Sequence, residues 1–136
     1  MSRVLNTILI ILSLSTTASF AAVNLVMVEE PGCVYCREWQ RKIGPVYPKT
    51  DEASCAPLEI IDIGSSEIRS FETRYPVRFT PTFLLIEDGA EISRIEGYPG
   101  EDFFWGLLGM MLDDYASTNS LAQTDPCSVG FIDQAS

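Results

Sequence analysis

Apolar and polar positions along the chain separate into four strand-like runs and three helical stretches. Val23-Asn24-Leu25-Val26-Met27-Val28 is apolar and β-branched, the pattern of a buried strand. A charged segment of good helix formers follows, Arg37-Glu38-Trp39-Gln40-Arg41-Lys42, and Gly44-Pro45 and then Pro48 kink or end that helix. Lys49 to Pro57 reads as a polar loop, and Leu58-Glu59-Ile60-Ile61-Asp62-Ile63 as a second strand. Gly64-Ser65-Ser66 offers a turn and a helix cap, and a short helix is expected over 67–75, stopped by Pro76. Thr82-Phe83-Leu84-Leu85-Ile86-Glu87 forms a third strand. Asp88-Gly89 is a hairpin turn, and Glu91-Ile92-Ser93-Arg94-Ile95-Glu96 alternates as a fourth strand. Glu101 and Asp102 place negative charge at the start of a last helix, Phe103 to about Tyr115. That helix is apolar nearly all round, which predicts core packing against the sheet rather than a docking surface.

The order strand, helix, strand, helix, strand, strand, helix predicts an α/β three-layer domain. The crossover makes the first two strands parallel, and the tight turn makes the last two antiparallel.

The chemistry concentrates at Cys33-Val34-Tyr35-Cys36, on the turn between the first strand and the first helix. A sulfur at a helix N-terminus meets unpaired backbone N–H groups and the positive end of the macrodipole, which favour the reactive thiolate. Two intervening residues let the pair alternate between dithiol and disulfide. Two other readings stand beside this redox site: a static disulfide, and a zinc site using all four cysteines. The spacing to Cys55 and the long gap to Cys127 are unlike a paired-knuckle zinc module.

The chain of 136 residues is long enough for one domain, and its net charge of -10 argues against nucleic acid or an anionic membrane as partner. It has no histidine, which excludes Ser-His and Cys-His catalysis and any histidine-ligated metal. Met1-Ser2-Arg3, the apolar stretch 4–14 and Ser19-Phe20-Ala21 read as a secretory signal peptide cleaved after Ala21. An uncleaved membrane anchor is the competing reading, but Asn6, Thr7, Ser13, Ser15, Thr16 and Thr17 interrupt the run. The expected organisation is signal peptide 1–21, domain 22–115 and a polar tail 116–136. Export would let disulfides persist outside the cytosol.

With C-x-x-C at the first strand-to-helix turn and Thr80-Pro81 before the third strand, the order of elements resembles the thioredoxin superfamily. A narrower likeness rests on the run Glu29-Glu30-Pro31-Gly32-Cys33-Val34-Tyr35-Cys36-Arg37-Glu38-Trp39. Two further runs share it, Phe79-Thr80-Pro81-Thr82-Phe83 and the segment from Glu96-Gly97-Tyr98-Pro99-Gly100 to Trp105. These are similar to the small periplasmic thioredoxins encoded with the bacterial sulfur-oxidation (Sox) system.

The resemblance implies a thioredoxin fold, with Cys33 as nucleophile and Cys36 as resolving thiol. It implies Pro81 as a cis-proline facing the disulfide and Thr80 offering its backbone to a substrate segment. Gly32, Val34, Tyr35, Gly97 and Tyr98 would complete a shallow peptide groove, although Tyr98 also reads as a simple surface aromatic. Departures from thioredoxin itself are plain. Pro31-Gly32 replaces the tryptophan before the first cysteine, and Val34-Tyr35 replaces Gly-Pro. Met27 stands where a thioredoxin carries a buried aspartate, for which Glu29 or Glu30 could substitute. Arg37 would add positive potential near Cys33 or simply face solvent, and Trp39 is expected in the packing. In this topology Cys55 and Cys127 fall at the end opposite Cys33, and a structural disulfide between them is expected to pin the tail.

The function implied is that of a periplasmic thiol-disulfide oxidoreductase that reduces a disulfide or thiol adduct on a partner protein. The likeness names that partner as the sulfur-carrier protein SoxYZ, and a membrane thiol-electron transporter of CcdA/DsbD type as electron donor. A disulfide oxidase or isomerase for protein folding would use the same residues, and a non-cycling binding module remains a third reading. No metal, nucleotide, flavin or other cofactor is implied, and a monomer is expected.

Overall fold

The computed structural model describes residues 23–118 and residue 127. The signal-peptide reading of 1–21 and nearly all of the tail lie outside the described residues.

Four strands form one mixed sheet in the order β2-β1-β3-β4: β1 Val23–Glu29, β2 Leu58–Asp62, β3 Thr82–Glu87 and β4 Ala90–Glu96. β1 and β2 are parallel, with Leu25 opposite Leu58, while β1–β3 and β3–β4 are antiparallel. β1 and β3 are central and almost wholly buried, which is why both read as unbroken apolar runs rather than alternating ones. The ends of β1, β2 and β4 and the start of β3 meet at one edge of the sheet, and the C-x-x-C turn leaves from that edge.

Among the described residues three α-helices accompany the sheet: α1 Val34–Lys42, α2 Asp51–Cys55 and α3 Glu101–Thr118. One face of the sheet, including Leu25, Met27, Phe83 and Leu85, packs against Trp39, Ile43, Phe104, Leu108 and Leu112 of the α1 and α3 segments. Trp39 is the centre of that core. Its ring lies 5.3 Å from Phe83 and 5.5 Å from Phe104, and Phe83 and Phe104 are 4.9 Å apart. On the other face, Val26, Val28, Ile61, Leu84 and Ile86 are covered by Ile63, Ile68, Phe71 and Val77.

The structure corrects three expectations. Residues 67–75 do not form an α-helix: Glu67–Ser70 is a single 3-10 turn, and Glu72 bridges to Ala90 of β4. Tertiary bonds capture this segment, since the Arg74 N–H donates to Glu91 Oε2 at 2.9 Å, and the residue before Pro76 is disfavoured in the helical region. The third layer is therefore a turn and an irregular strap. Second, the loop 49–57 contains α2, capped by Thr50, whose Oγ1 accepts from the Ala53 N–H at 3.3 Å. The Tyr47 hydroxyl donates to the Ala56 carbonyl at 2.7 Å and fixes α2 to the core; burial pushes that phenol well above its ordinary pKa. Third, α3 runs past the expected boundary to Thr118, and part of its apolar surface is not in the core, since Phe103, Leu107 and Met110 are exposed.

Candidate active site

The sequence Glu30-Pro31-Gly32-Cys33 makes a tight turn closed by the Cys33 N–H on the Glu30 carbonyl at 3.2 Å. Gly32 has φ +86, a left-handed conformation that follows proline naturally in such a turn and that a side chain would resist. This turn delivers Cys33 as the N-cap of α1, with an extended backbone and its Sγ accepting from the Cys36 N–H at 3.0 Å. Cys33 and Cys36 are joined as a disulfide, with Cα atoms 5.3 Å apart. Their environments differ. Cys33 is half-buried beside exposed Val34 and Tyr35, whereas Cys36 is 2% exposed and belongs to the aromatic core around Trp39.

The Thr80–Pro81 peptide is cis. Thr80 Oγ1 donates to Glu30 Oε1 at 2.6 Å, tying the proline loop to the turn that carries Cys33. The Pro81 carbonyl accepts from the Gly97 N–H at 2.7 Å, so the loop after β4 joins the same cluster. The structure thus gathers Gly32, Cys33, Thr80, Pro81 and Gly97 at one edge of the sheet, with Val34 and Tyr35 exposed on the first turn of α1.

Tyr98 departs from the expectation of a groove wall or a surface aromatic. Its ring is buried against Phe104, with centroids 6.3 Å apart, and among the described residues its hydroxyl has no hydrogen-bond partner. Burial pushes its phenol up. Arg37 is exposed on α1, and Trp39 is fully buried. Met27 is fully buried as well, and among the described residues the one buried acidic residue is Glu91, paired with the buried Arg94 side chain on β4 away from the disulfide edge. Glu29 accepts from the Gln40 side chain, and Glu30 from Thr80. Two features were missed in the sequence. Phe79 stands exposed next to Thr80, and Glu30 acts as a tether; the string Phe79-Thr80-Pro81 was the available signal for the first.

Cys55, at the end of α2, is bonded to Cys127, 72 residues away in sequence. α2 directly precedes β2, whose first residue lies beside Leu25 near the start of β1, so this bridge is at the end of the sheet away from Cys33. Among the described residues the four cysteines are therefore two separate disulfides rather than one gathered ligand set.

The arrangement can exchange a disulfide: one partly exposed cysteine at a helix N-terminus, its partner sheltered one turn on, and the exposed side chains of Val34, Tyr35 and Phe79 around them.

Comparison with known proteins agrees. The periplasmic thioredoxin SoxS from Paracoccus pantotrophus, solved in its reduced form, is 43% identical; the match covers 68% of this chain and 98% of that one, with TM-score 0.65. Thioredoxins from Fasciola hepatica and Malassezia sympodialis, 23% and 20% identical, share the fold with TM-scores of 0.51 and 0.50. Each match covers 66% of this chain, and 81% and 75% of theirs. No protein with a curated description matches. Residues 21–111 match the thioredoxin-like domain family, and with its C-x-x-C pair so placed the chain belongs to that family as a thiol-disulfide oxidoreductase.

Proposed function

We propose that this protein is a periplasmic reductant of a disulfide or thiol adduct on a partner protein, with Cys33 attacking and Cys36 resolving. The observation that carries the assignment is the asymmetry of the pair. Cys33 is a partly exposed residue whose Sγ receives a backbone N–H at a helix N-terminus, while Cys36 is closed in the core. In the dithiol form, the Cys33 thiolate attacks one sulfur of the partner's disulfide, forming a mixed disulfide and expelling the other sulfur as a thiolate that takes up a proton. The Cys36 thiolate then attacks Cys33 Sγ. The Cys33–Cys36 bond forms, the second partner thiol leaves, and two electrons have passed to the partner. A membrane thiol-electron transporter of CcdA/DsbD type would return two electrons to close the cycle.

The partner we propose is the sulfur-carrier protein SoxYZ, whose swinging cysteine must be free of adducts to carry sulfur. The likeness to a periplasmic SoxS supports the periplasmic address. Among the described residues no helix is long and apolar enough to cross a membrane.

The test is a trap. In Cys36→Ser the mixed disulfide cannot be resolved, so blocking thiols rapidly during growth on thiosulfate should leave the carrier covalently held on Cys33. A trap holding many unrelated exported proteins would point to a folding oxidoreductase, and an empty trap with reactive Cys33 would defeat the proposal.

A further inference from the structure

α3 carries a face that the fold does not use. Phe103 is 69% exposed, Leu107 40% and Met110 70%, and their spacing of four and three residues puts them on one stripe. Between them Gly106 opens a notch of about 280 Å³ lined by Asp102, Phe103, Gly106, Leu107 and Met110. A Cβ at Gly106 would meet nothing within 4 Å and the residue has ordinary helical backbone, so neither packing nor backbone conformation calls for glycine there. Glycine is nonetheless among the poorest helix formers.

α3 itself carries charge of one sign, although Arg41 and Lys42 of α1 act on Tyr98 alongside Glu101, and Arg74 lines a groove with Asp114. Glu101 and Asp102 flank the stripe at one end, Asp113 and Asp114 at the other, all exposed, and α3 contains no lysine or arginine. Glu101 and Asp102 suit the helix N-terminus, but Asp113 and Asp114 lie towards the C-terminal end, where the macrodipole disfavours them. A second copy of this chain would bring like charges together across the face, and an anionic membrane would be repelled. A cationic partner segment matches both the apolar stripe and the carboxylates that α3 itself presents beside it. The face also begins directly after the Gly97–Gly100 loop, which is hydrogen-bonded to the cis-proline. It therefore continues from the disulfide edge.

We propose that the outer face of α3 is a second docking site for the partner protein, taking a segment that presents a large apolar side chain between lysines or arginines. The apolar side chain fills the notch over Gly106, and the cations pair with the bordering carboxylates. This rests on the reading that the substrate is a protein, and adds that it is held away from the disulfide as well as at it.

The test uses the full exported chain and a synthetic amphipathic helical peptide of about 14 residues with a leucine and phenylalanine stripe flanked by lysines. A control peptide carries glutamates in place of the lysines. Amide shifts on titration should centre on Phe103 to Met110. Affinity should fall about tenfold when salt rises from about 20 mM to about 300 mM, and about tenfold in Gly106→Leu or Met110→Ser. Gly106→Leu should melt no lower than the parent, which separates a blocked notch from a damaged fold. Insulin-disulfide reduction reports the cysteines alone and should be unchanged in both variants. If insulin turnover is absent in the parent, the oxidoreductase reading fails. If turnover is normal and the lysine peptide does not bind, docking alone fails. Equal binding of the glutamate peptide, or shifts centred on Cys33 and Tyr35, would overturn the proposal. So would self-association through this face, or binding that requires removal of residues 128–136.

Discussion

Glu30 and Thr80, fifty residues apart in sequence, are joined by a 2.6 Å hydrogen bond that ties the Cys33 turn to the cis-proline loop. Both groups are partly or fully solvent-facing, so the bond adds little to global stability, about 1 kcal/mol or less. Its effect is local: it holds the backbone of Thr80 in register with the sulfur that a substrate must reach. Glu30→Ala and Thr80→Val should each lower kcat/KM on a protein disulfide by roughly three- to tenfold. The double variant should lose no more than either single one. The check is a double-mutant cycle on turnover, with reduction of a small disulfide as control; additive losses would show that the two residues act separately.

Tyr98 is predicted to be a core residue with a redundant oxygen. Its hydroxyl is buried with no partner among the described residues, so Tyr98→Phe removes a desolvation cost while keeping the ring on Phe104. Urea unfolding should show a gain of up to about 1 kcal/mol, with turnover unchanged. A loss of turnover at full stability would return Tyr98 to the substrate groove.

Glu91 and Arg94 hold the strap 72–75 onto β4. The Glu91 carboxylate accepts from Arg94 Nε at 2.6 Å, and Arg94 Nη2 also donates to the Tyr75 carbonyl at 2.8 Å with the guanidinium 3.9 Å above the Tyr75 ring. Burial alone would raise the Glu91 carboxyl. Hydrogen bonds from Arg94 and the Arg74 N–H, with the charges of both arginines, outweigh it and hold the group below its ordinary value of 4.5. A carboxyl depressed on folding stabilises fully above its unfolded value and loses that contribution as pH falls through the folded one. Glu91→Gln should therefore cost on the order of 2–4 kcal/mol at neutral pH. The gap to the parent should narrow steadily below pH 4.5. Melting temperature against pH is the measurement, and parallel curves for the two proteins would refute the assignment.

The Cys55–Cys127 bridge closes a 72-residue separation at the end of the sheet away from Cys33. Cys55→Ser with Cys127→Ser should cost about 2–4 kcal/mol in urea unfolding and leave insulin reduction intact. Loss of turnover in a variant that is still folded would instead make the bridge part of the redox path.

How much of this was legible in the sequence follows from where each signal came. β1 and β3 were plain because central strands bury both faces and leave unbroken runs such as Phe83-Leu84-Leu85-Ile86. The cysteine turn was plain because Pro31-Gly32-Cys33 and Cys36 carry their chemistry in residue type and spacing. The strap 67–75 was misjudged because its helical pattern is short, and its long-range bonds to Glu91 and Ile92 have no local signature. α2 has a local one, Thr50 capping Asp51-Glu52, but five residues show no periodicity. The outer face of α3 was hidden for another reason. A helix apolar on every side does not say which side the sheet will cover, so Phe103 and Met110 read like Phe104 and Met111.

The central claim is that Cys33 is the attacking sulfur and Cys36 the sheltered one, and alkylation tests it most directly. The protein is reduced, treated briefly with iodoacetamide across a range of pH, and the label located by peptide mass spectrometry. The account predicts that Cys33 is labelled first at every pH, with Cys36 unlabelled until unfolding. Equal labelling of both sulfurs, or Cys36 reacting first, would contradict it.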